Sequence, residues 1–215
     1  MSKALNPVVR SSLLLGLIAM LGTALLASVN ALTHERIIEQ EKQRMRQQLN
    51  AILPVGSFDN DLLGDVIEIV DTMHFRHRAP VTVYRARKYG RPVAALMFVT
   101  APDGYNGDIR LITGIDAGGT VLGVRVVSHR ETPGLGDPIE IGKSDWIMDF
   151  TGKSLQRPGG RGWAVKRDGG QFDQFTGATI SPRAVVRTVH DTLLYFERNK
   201  RMLFDQPSRS AARHE

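Results

Sequence analysis

An unbroken apolar run writes the first element of this chain. Residues 13–32 carry no charge and consist mostly of Leu, Ala, Ile, Met and Gly. Such a run is long enough to cross the hydrocarbon core of a bilayer as a helix. Gly16 and Gly22 are tolerated in that setting and permit close helix contact. Val29-Asn30-Ala31 places small residues where a signal peptidase reads, so a cleaved signal is the rival reading. The length of the run exceeds a signal-peptide core and favours a retained anchor. Beyond it the pattern stays helical: Ile38, Met45, Leu49 and Ile52 share one face, and Pro54-Val55-Gly56 marks a stop. One helix reaching from the membrane to about Leu53 is expected.

The period then changes from helical to strand-like. Segments 66–70, 81–85, 93–99, 109–115 and 121–127 are β-branched and partly alternating, which predicts strands. Ala117-Gly118-Gly119-Thr120 reads as the turn of a hairpin joining the last two. Residues 145–150, with Trp146, Ile147, Met148 and Phe150, read as a short apolar helix or turn. Residues 156–161 read as loop, and 163–166 as a short strand. Val185, Val189, Leu193 and Phe196 recur at helical spacing and predict a terminal helix from Pro182 to about Met202. Ser181 is expected to cap it, with Pro182 at the first helical position. The tail from Gln206 is Pro/Ser/Arg-rich and expected to be disordered. The fold class is α+β, with one N-terminal transmembrane helix followed by a domain whose antiparallel sheet is flanked by helices. The expected divisions are an anchor over 1–33, a membrane-proximal helix over 34–55, the folded domain over 56–204 and a tail over 205–215.

Composition removes several chemistries. The 215 residues include no Cys, so the chain supplies no thiolate for an iron–sulfur cluster and no redox-active pair. Any redox chemistry must belong to a bound cofactor. Of the six His, only His74-x-x-His77 approaches a ligand spacing, and it reads as a solvated loop pair. The formal charge is +6, but the excess is spread out and much of it lies near the ends. No nucleic-acid motif accompanies it, so no nucleic-acid partner is expected. Attraction to anionic lipid or to acidic partner subunits is the simpler account. No GxGxxG loop is present, and nothing suggests NADH binding.

Chemistry concentrates in two glycine-containing runs. Asp173-Gln174-Phe175-Thr176-Gly177-Ala178-Thr179-Ile180-Ser181-Pro182 puts a threonine hydroxyl on a small-residue turn just before a helix start. There free N–H groups and the helix dipole favour an anion. Ala184 leaves no capping-box carboxylate to compete, and Arg183 and Arg187 add positive charge. His129-Arg130-Glu131-Thr132-Pro133-Gly134-Leu135-Gly136 carries a Pro-Gly turn signal, and Gly136 is expected to adopt a second unusual backbone angle. A glycine backbone can approach a flat ring closely and offer it N–H donors.

Both runs resemble the FMN-binding domain family of bacterial ion-pumping redox complexes. Asp173-x-x-Thr176-Gly177-Ala178-Thr179 is similar to that family's acceptor motif, in which FMN joins the last threonine through its phosphate. The resemblance implies a phosphodiester from FMN to Thr179, made by a separate flavin transferase that Asp173 helps to recruit. A hydroxyl is a weak nucleophile without a base beside it, which fits an outside enzyme. It further implies that Thr176, Gly177, Ala178 and Ser181 shape the attachment turn, and that Glu131, Thr132, Pro133, Gly134, Leu135 and Gly136 border the flavin. Gly104-Tyr105-Asn106-Gly107 is similar to a third family segment. Tyr105 then lies either near the flavin ring or as a turn tyrosine on the sheet edge.

Within that family, the length is closest to the G subunits of Rnf-type electron-transport complexes. The implied role is an electron carrier at the bacterial inner membrane, working with other Rnf subunits and not a complete enzyme alone. In such complexes transfer between NADH and ferredoxin is coupled to ion movement. Positive charges precede and follow the apolar run, so the positive-inside count leaves orientation open. The resemblance places the soluble domain in the periplasm. Two alternatives stay open: a C subunit of the sodium-pumping NADH:quinone reductase, and a membrane-tethered flavoprotein outside any pump.

Overall fold

A computed structural model describes residues 7–77 and 79–208. The chain divides into two units, Met1–Gln47 and Gln48–Glu215. Helix α1 spans Pro7–Asn50. Its apolar part has a mean hydropathy of 2.2 over the richest window, and none of that window is buried inside the protein. At 1.5 Å per residue its 44 residues extend about 66 Å, more than twice a bilayer core of roughly 30 Å. The hydroxyls of Thr23, Ser28 and Thr33 donate to the carbonyls of Ala19, Ala24 and Val29 at 2.9, 2.7 and 2.7 Å. These hydroxyls are thereby satisfied inside the helix. The helix ends at Asn50 instead of near Leu53. Residues 51–53 form a turn, with the Leu53 N–H still donating to Leu49 O at 2.9 Å, because Pro54 disfavours helical geometry in the residue before it.

The second unit is an open antiparallel meander of five strands in the order β1-β2-β3-β4-β5. These are β1 Val66–Ile69, β2 Val81–Lys88, β3 Arg91–Gly104, β4 Gly107–Asp116 and β5 Val121–Ser128. Side-chain alternation gives the sheet two apolar faces. One face, with Val83, Met97, Leu111 and Val124, joins Val185, Val189, Leu193 and Phe196 of α3 in a single core. α3 spans Ile180–Asp205 and α2 is the short turn Thr72–Phe75. On the other face Ile52 packs over Gly114, whose ideal Cβ would lie 2.3 Å from Ile52 Cγ2. Leu49, Leu53 and Leu62 are also buried. The architecture is α+β.

Two local expectations change. Residues 163–166 do not form a strand: they carry one isolated bridge, Val165 to Phe172, and run into a 3-10 turn at Lys166–Asp168. Trp163 instead joins an aromatic cluster with Trp146, Phe150 and Phe172. His74 and His77 are half-buried and not a solvated pair. His74 Nδ1 lies 3.0 Å from Asp71 Oδ2, and burial holds the His77 ring below its ordinary pKa. Among the described residues no metal-ligating cluster forms. Part of the tail, residues 209–215, lies outside the described residues.

Candidate functional site

A long irregular segment leaves β5 at Ser128 and returns at α3, and its two ends meet over one cleft. The first end is the turn Thr132-Pro133-Gly134-Leu135, closed by Leu135 N–H donating to Thr132 O at 3.1 Å. The second is Phe175-Thr176-Gly177-Ala178, closed by Ala178 N–H donating to Phe175 O at 3.1 Å. Gly134 and Gly177 occupy the third position of each, at φ +77° and +79°. That is the type II pattern, which requires positive φ there and favours glycine. Thus two turns of one type, chosen by Gly at matching places, build two walls.

The cleft encloses about 220 Å³. From the expected residues it is lined by Tyr105, Glu131, Thr132, Leu135 and Gly136 on one side, and by Gly177, Ala178, Thr179 and Ser181 on the other. Ile180 lines it as well, with an exposed side chain that no sequence motif singled out. Pro133, Gly134 and Thr176 shape the turns from outside and do not line the cleft. Tyr105 stands in the tight turn between β3 and β4, 66% exposed.

Three expectations from the sequence are corrected by this geometry. Ser181 does not cap α3, and Pro182 is not its first residue: the helix begins at Ile180, with Thr179 in the N-cap position. Pro182 remains within the first turn, where its missing N–H has no intrahelical partner to lose. Ser181 Oγ is instead buried and donates to Glu131 Oε2. Nor does Gly136 need an unusual angle, since its φ is −97°. It is required for space: an added Cβ would stand 2.6 Å from Ser181 Oγ and 2.9 Å from Glu131 Cβ.

Thr179 adopts helical dihedrals, φ −93° and ψ −25°, and its hydroxyl makes no capping hydrogen bond. An N-cap side chain normally reaches back from extended backbone to the first-turn N–H groups. Here the neighbour of Oγ1 is Arg167 Nη1 at 3.4 Å. Arg167 sits on the Lys166–Asp168 turn, whose three residues all engage the acceptor run or the helix start beside it. Lys166 pairs with Asp173 at 2.6 Å, the Arg167 N–H donates to Gln174 Oε1 at 3.2 Å, and Asp168 pairs with Arg183 at 2.6 Å. Hydrogen bonds from Arg183 hold the Asp168 carboxyl below its ordinary value, and the same contact raises Arg183. The Trp146 indole donates to Asp173 O at 2.8 Å, fixing the start of the run against the aromatic cluster. Sequence reading missed this turn because its residues are ordinary charges that acquire meaning only by proximity.

Glu131 and His129 organise the opposite wall. The Glu131 carboxylate, 4% exposed, accepts from Asn106 N–H at 3.1 Å and Tyr105 N–H at 3.3 Å as well as from Ser181. Its own N–H donates to His129 Nδ1 at 2.9 Å. A backbone N–H only donates, so Nδ1 is the acceptor and His129 Nε2 carries the proton facing Glu140 Oε1 at 2.5 Å. Asp137 Oδ1 accepts from Gly134 N–H at 2.6 Å, and the Asn106 amide donates to Thr132 Oγ1 at 3.0 Å.

Comparison with known proteins bears on the whole chain. Residues 104–194 match the family model of the FMN-binding domain, and residues 1–52 match that of the RnfG N-terminal region. The chain is 48% identical over 208 residues to the G subunit of the ion-translocating oxidoreductase complex of Shewanella loihica, covering 97% of this chain and 98% of that protein. It is 48% identical over 206 residues to the protein of the same name from Pseudomonas aeruginosa, covering 96% and 95%. A third, from Shewanella baltica, is 43% identical over 210 residues, covering 98% and 99%. The chain belongs to the family of G subunits of ion-translocating oxidoreductase complexes.

Proposed function

We propose that this chain, as a member of that family, carries electrons within an Rnf-type membrane complex through an FMN linked by its phosphate to Thr179. The observation that carries the reading is the Thr179 hydroxyl, unused as a cap, in the lining of the cleft. A helix start supplies unpaired N–H groups and a positive dipole end, and Arg167 supplies a full charge beside the oxygen. These suit a phosphate. Glycine backbone and the apolar Leu135 and Ile180 suit a flavin ring.

The size of the cleft also fits a tethered cofactor. Closed small-molecule pockets run to about 300–1,000 Å³. A cleft of about 220 Å³ holds part of a flavin nucleotide and leaves the rest open to a partner. Limited burial gives limited affinity, and a covalent bond removes the need for it. Arg167, the neighbour of Thr179 Oγ1, is a donor and cannot accept the hydroxyl proton. Attachment therefore calls for a separate flavin transferase that brings a base for the hydroxyl proton and a flavin donor whose phosphate carries a leaving group, so that one P–O bond breaks as the bond to Thr179 forms.

Bound flavin supplies one- and two-electron redox chemistry that no side chain here offers. The protein's own contribution is placement. The Lys166–Asp168 turn and Trp146 hold the acceptor run, while Glu131 and Asp137 hold the facing turn. On this reading residues 1–33 anchor the chain in the inner membrane, 34–55 continue the helix, and 56–204 form the flavin unit in the periplasm. Its partners are the lipid bilayer, the flavin transferase and the other Rnf subunits, which couple the transfer to ion movement.

Co-expression with a flavin transferase tests the attachment. A fluorescent band on a denaturing gel, with a mass gain of one FMN less one water, is expected for the natural chain and absent in Thr179→Ala. A fluorescent Thr179→Ala band that carries the same mass gain would overturn the assignment. Topology is tested by fusions after Glu215: a phosphatase active only outside the cytoplasm should work and β-galactosidase should not. The opposite pair would put the cleft in the cytoplasm.

A further inference from the structure

Glu131 is a buried acidic group in the cleft wall, and it holds three separate segments. Through its two oxygens it engages the β3–β4 turn at Tyr105 and Asn106 and the first turn of α3 at Ser181. Through its own backbone it leads into the Thr132–Leu135 turn, steadied by His129. The lining of the cleft comes from these three segments and the acceptor turn. Among the described residues no Lys or Arg lies within ion-pairing distance of Glu131. Its three partners at the carboxylate are hydrogen-bond donors without formal charge.

From this geometry we infer that Glu131 is a positioning residue that also sets the reduction potential of the cofactor held in the cleft. The inference rests on the flavin reading above. Reduction adds electrons, and a fixed negative charge in the adjoining wall opposes added negative charge. Because the carboxylate is buried, salt screens it little. Its uncharged donors orient it and offset the charge only in part. Glu131 therefore lowers the potential of a flavin in this cleft and makes the reduced form a better donor. A neutral residue of the same shape would keep the walls together and lose the effect.

Glu131→Gln and Ser181→Ala separate charge from packing. The amide introduced by Glu131→Gln can still accept from Asn106 N–H and can donate to Ser181 Oγ, so the hub largely survives. Both variants are made in the full chain, flavinylated by co-expression, and titrated in a spectroelectrochemical cell. Glu131→Gln should raise the midpoint potential, favouring reduction about tenfold, which is about 30 mV for a two-electron couple. The shift should persist at high salt. Ser181→Ala keeps the charge and removes one donor that offsets it, so its potential should fall, by about twofold in the reduction equilibrium (about 9 mV at 29.6 mV per decade).

A purely structural role predicts no such opposition of sign. A flavinylated Glu131→Gln with the natural potential overturns the inference, as does an upward shift in both variants. If Glu131→Gln does not take up flavin, the sign of the Ser181→Ala shift decides: downward supports, upward or absent overturns. Failure of the underlying reading looks different, since the natural chain itself would then carry no covalent flavin.

Discussion

At the C-terminal end of α3 the carbonyls of Leu203, Phe204 and Gln206 accept from two arginines of the sheet. Arg85 Nη1 reaches Leu203 O at 3.0 Å and Gln206 O at 2.5 Å, and Arg87 Nη2 reaches Phe204 O at 2.6 Å. Asp65 accepts from both guanidinium groups, which fixes them. At the N-terminal end no side chain caps the helix, and Thr179 lines the cleft. Every helix leaves unpaired N–H groups at its start and unpaired carbonyls at its finish. Here the finish is closed with buried charge, and the start is left available. The difference separates an end that secures the fold from an end that carries the proposed chemistry.

Breaking the closed end should have the largest effect. Arg85 is 2% exposed, so Arg85→Ala removes the buried partner of the Asp65 carboxylate and releases the last turn. Losing one partner of a buried ion pair typically costs about 3–5 kcal/mol. Denaturant unfolding of the full chain in detergent should show that loss. Flavin attachment, tested below the melting temperature, should survive, because the cleft lies at the opposite end of the helix. A loss below about 1 kcal/mol would mean the clamp is incidental.

Crowding the open end should cost less and alter the cleft more. Gly136→Val drives a side chain into Ser181 and Glu131, and overpacking of this kind costs about 1–3 kcal/mol. Gly134→Val meets open space and suffers only the backbone strain of φ +77°, about 1–3 kcal/mol. The two should separate in the visible spectrum of the bound flavin: a clear change for Gly136→Val and a smaller one for Gly134→Val. Equal spectra for both and for the natural chain would remove the turn from the flavin's surroundings.

How visible these two ends are in the sequence also differs. The open end is written locally: Pro133-Gly134 and Thr176-Gly177 specify their turns within four residues, and the apolar period of α3 needs no distant partner. The strand cores and the Gly118-Gly119 hairpin are legible for the same reason. The closed end is not. Arg85 meets Leu203 across 118 positions, and nothing near Arg85 in the chain announces it. Ser181 is legible as a helix-start residue but not as the donor to Glu131, 50 positions away. Residues 163–166 look like a strand because Trp163, Ala164 and Val165 are apolar, yet Trp163 and Val165 are buried in a core that no period encodes.

Between the ends, His190 stacks on Trp163 with ring centroids 5.5 Å apart. Burial lowers its pKa, opposed in part by Asp191. The unfolded chain then binds this proton more readily than the folded one, so stability falls as pH drops below about 6.5 and through the lower folded value. His77, also lowered by burial, adds the same sign. Unfolding midpoints at pH 8 and pH 5 should differ, with the unit weaker at pH 5. His190→Gln should flatten that dependence without touching flavin attachment.

The smallest expected effect is the most discriminating. Replacing an N-cap Thr by Ala ordinarily costs about 1 kcal/mol, because a first-turn N–H loses its acceptor. Thr179 makes no such bond, and its backbone is already helical. Thr179→Ala should therefore leave unfolding within about 0.5 kcal/mol of the natural apoprotein, the range of a neutral surface substitution. The measurement needs chains expressed without the flavin transferase, so that cofactor binding does not enter the comparison. A cost near 1 kcal/mol would show that the hydroxyl caps α3 in solution, and the open end would then be closed like the other. A cost near zero, beside complete loss of covalent flavin in the attachment assay, would show that the helix does not need this hydroxyl and the cofactor does.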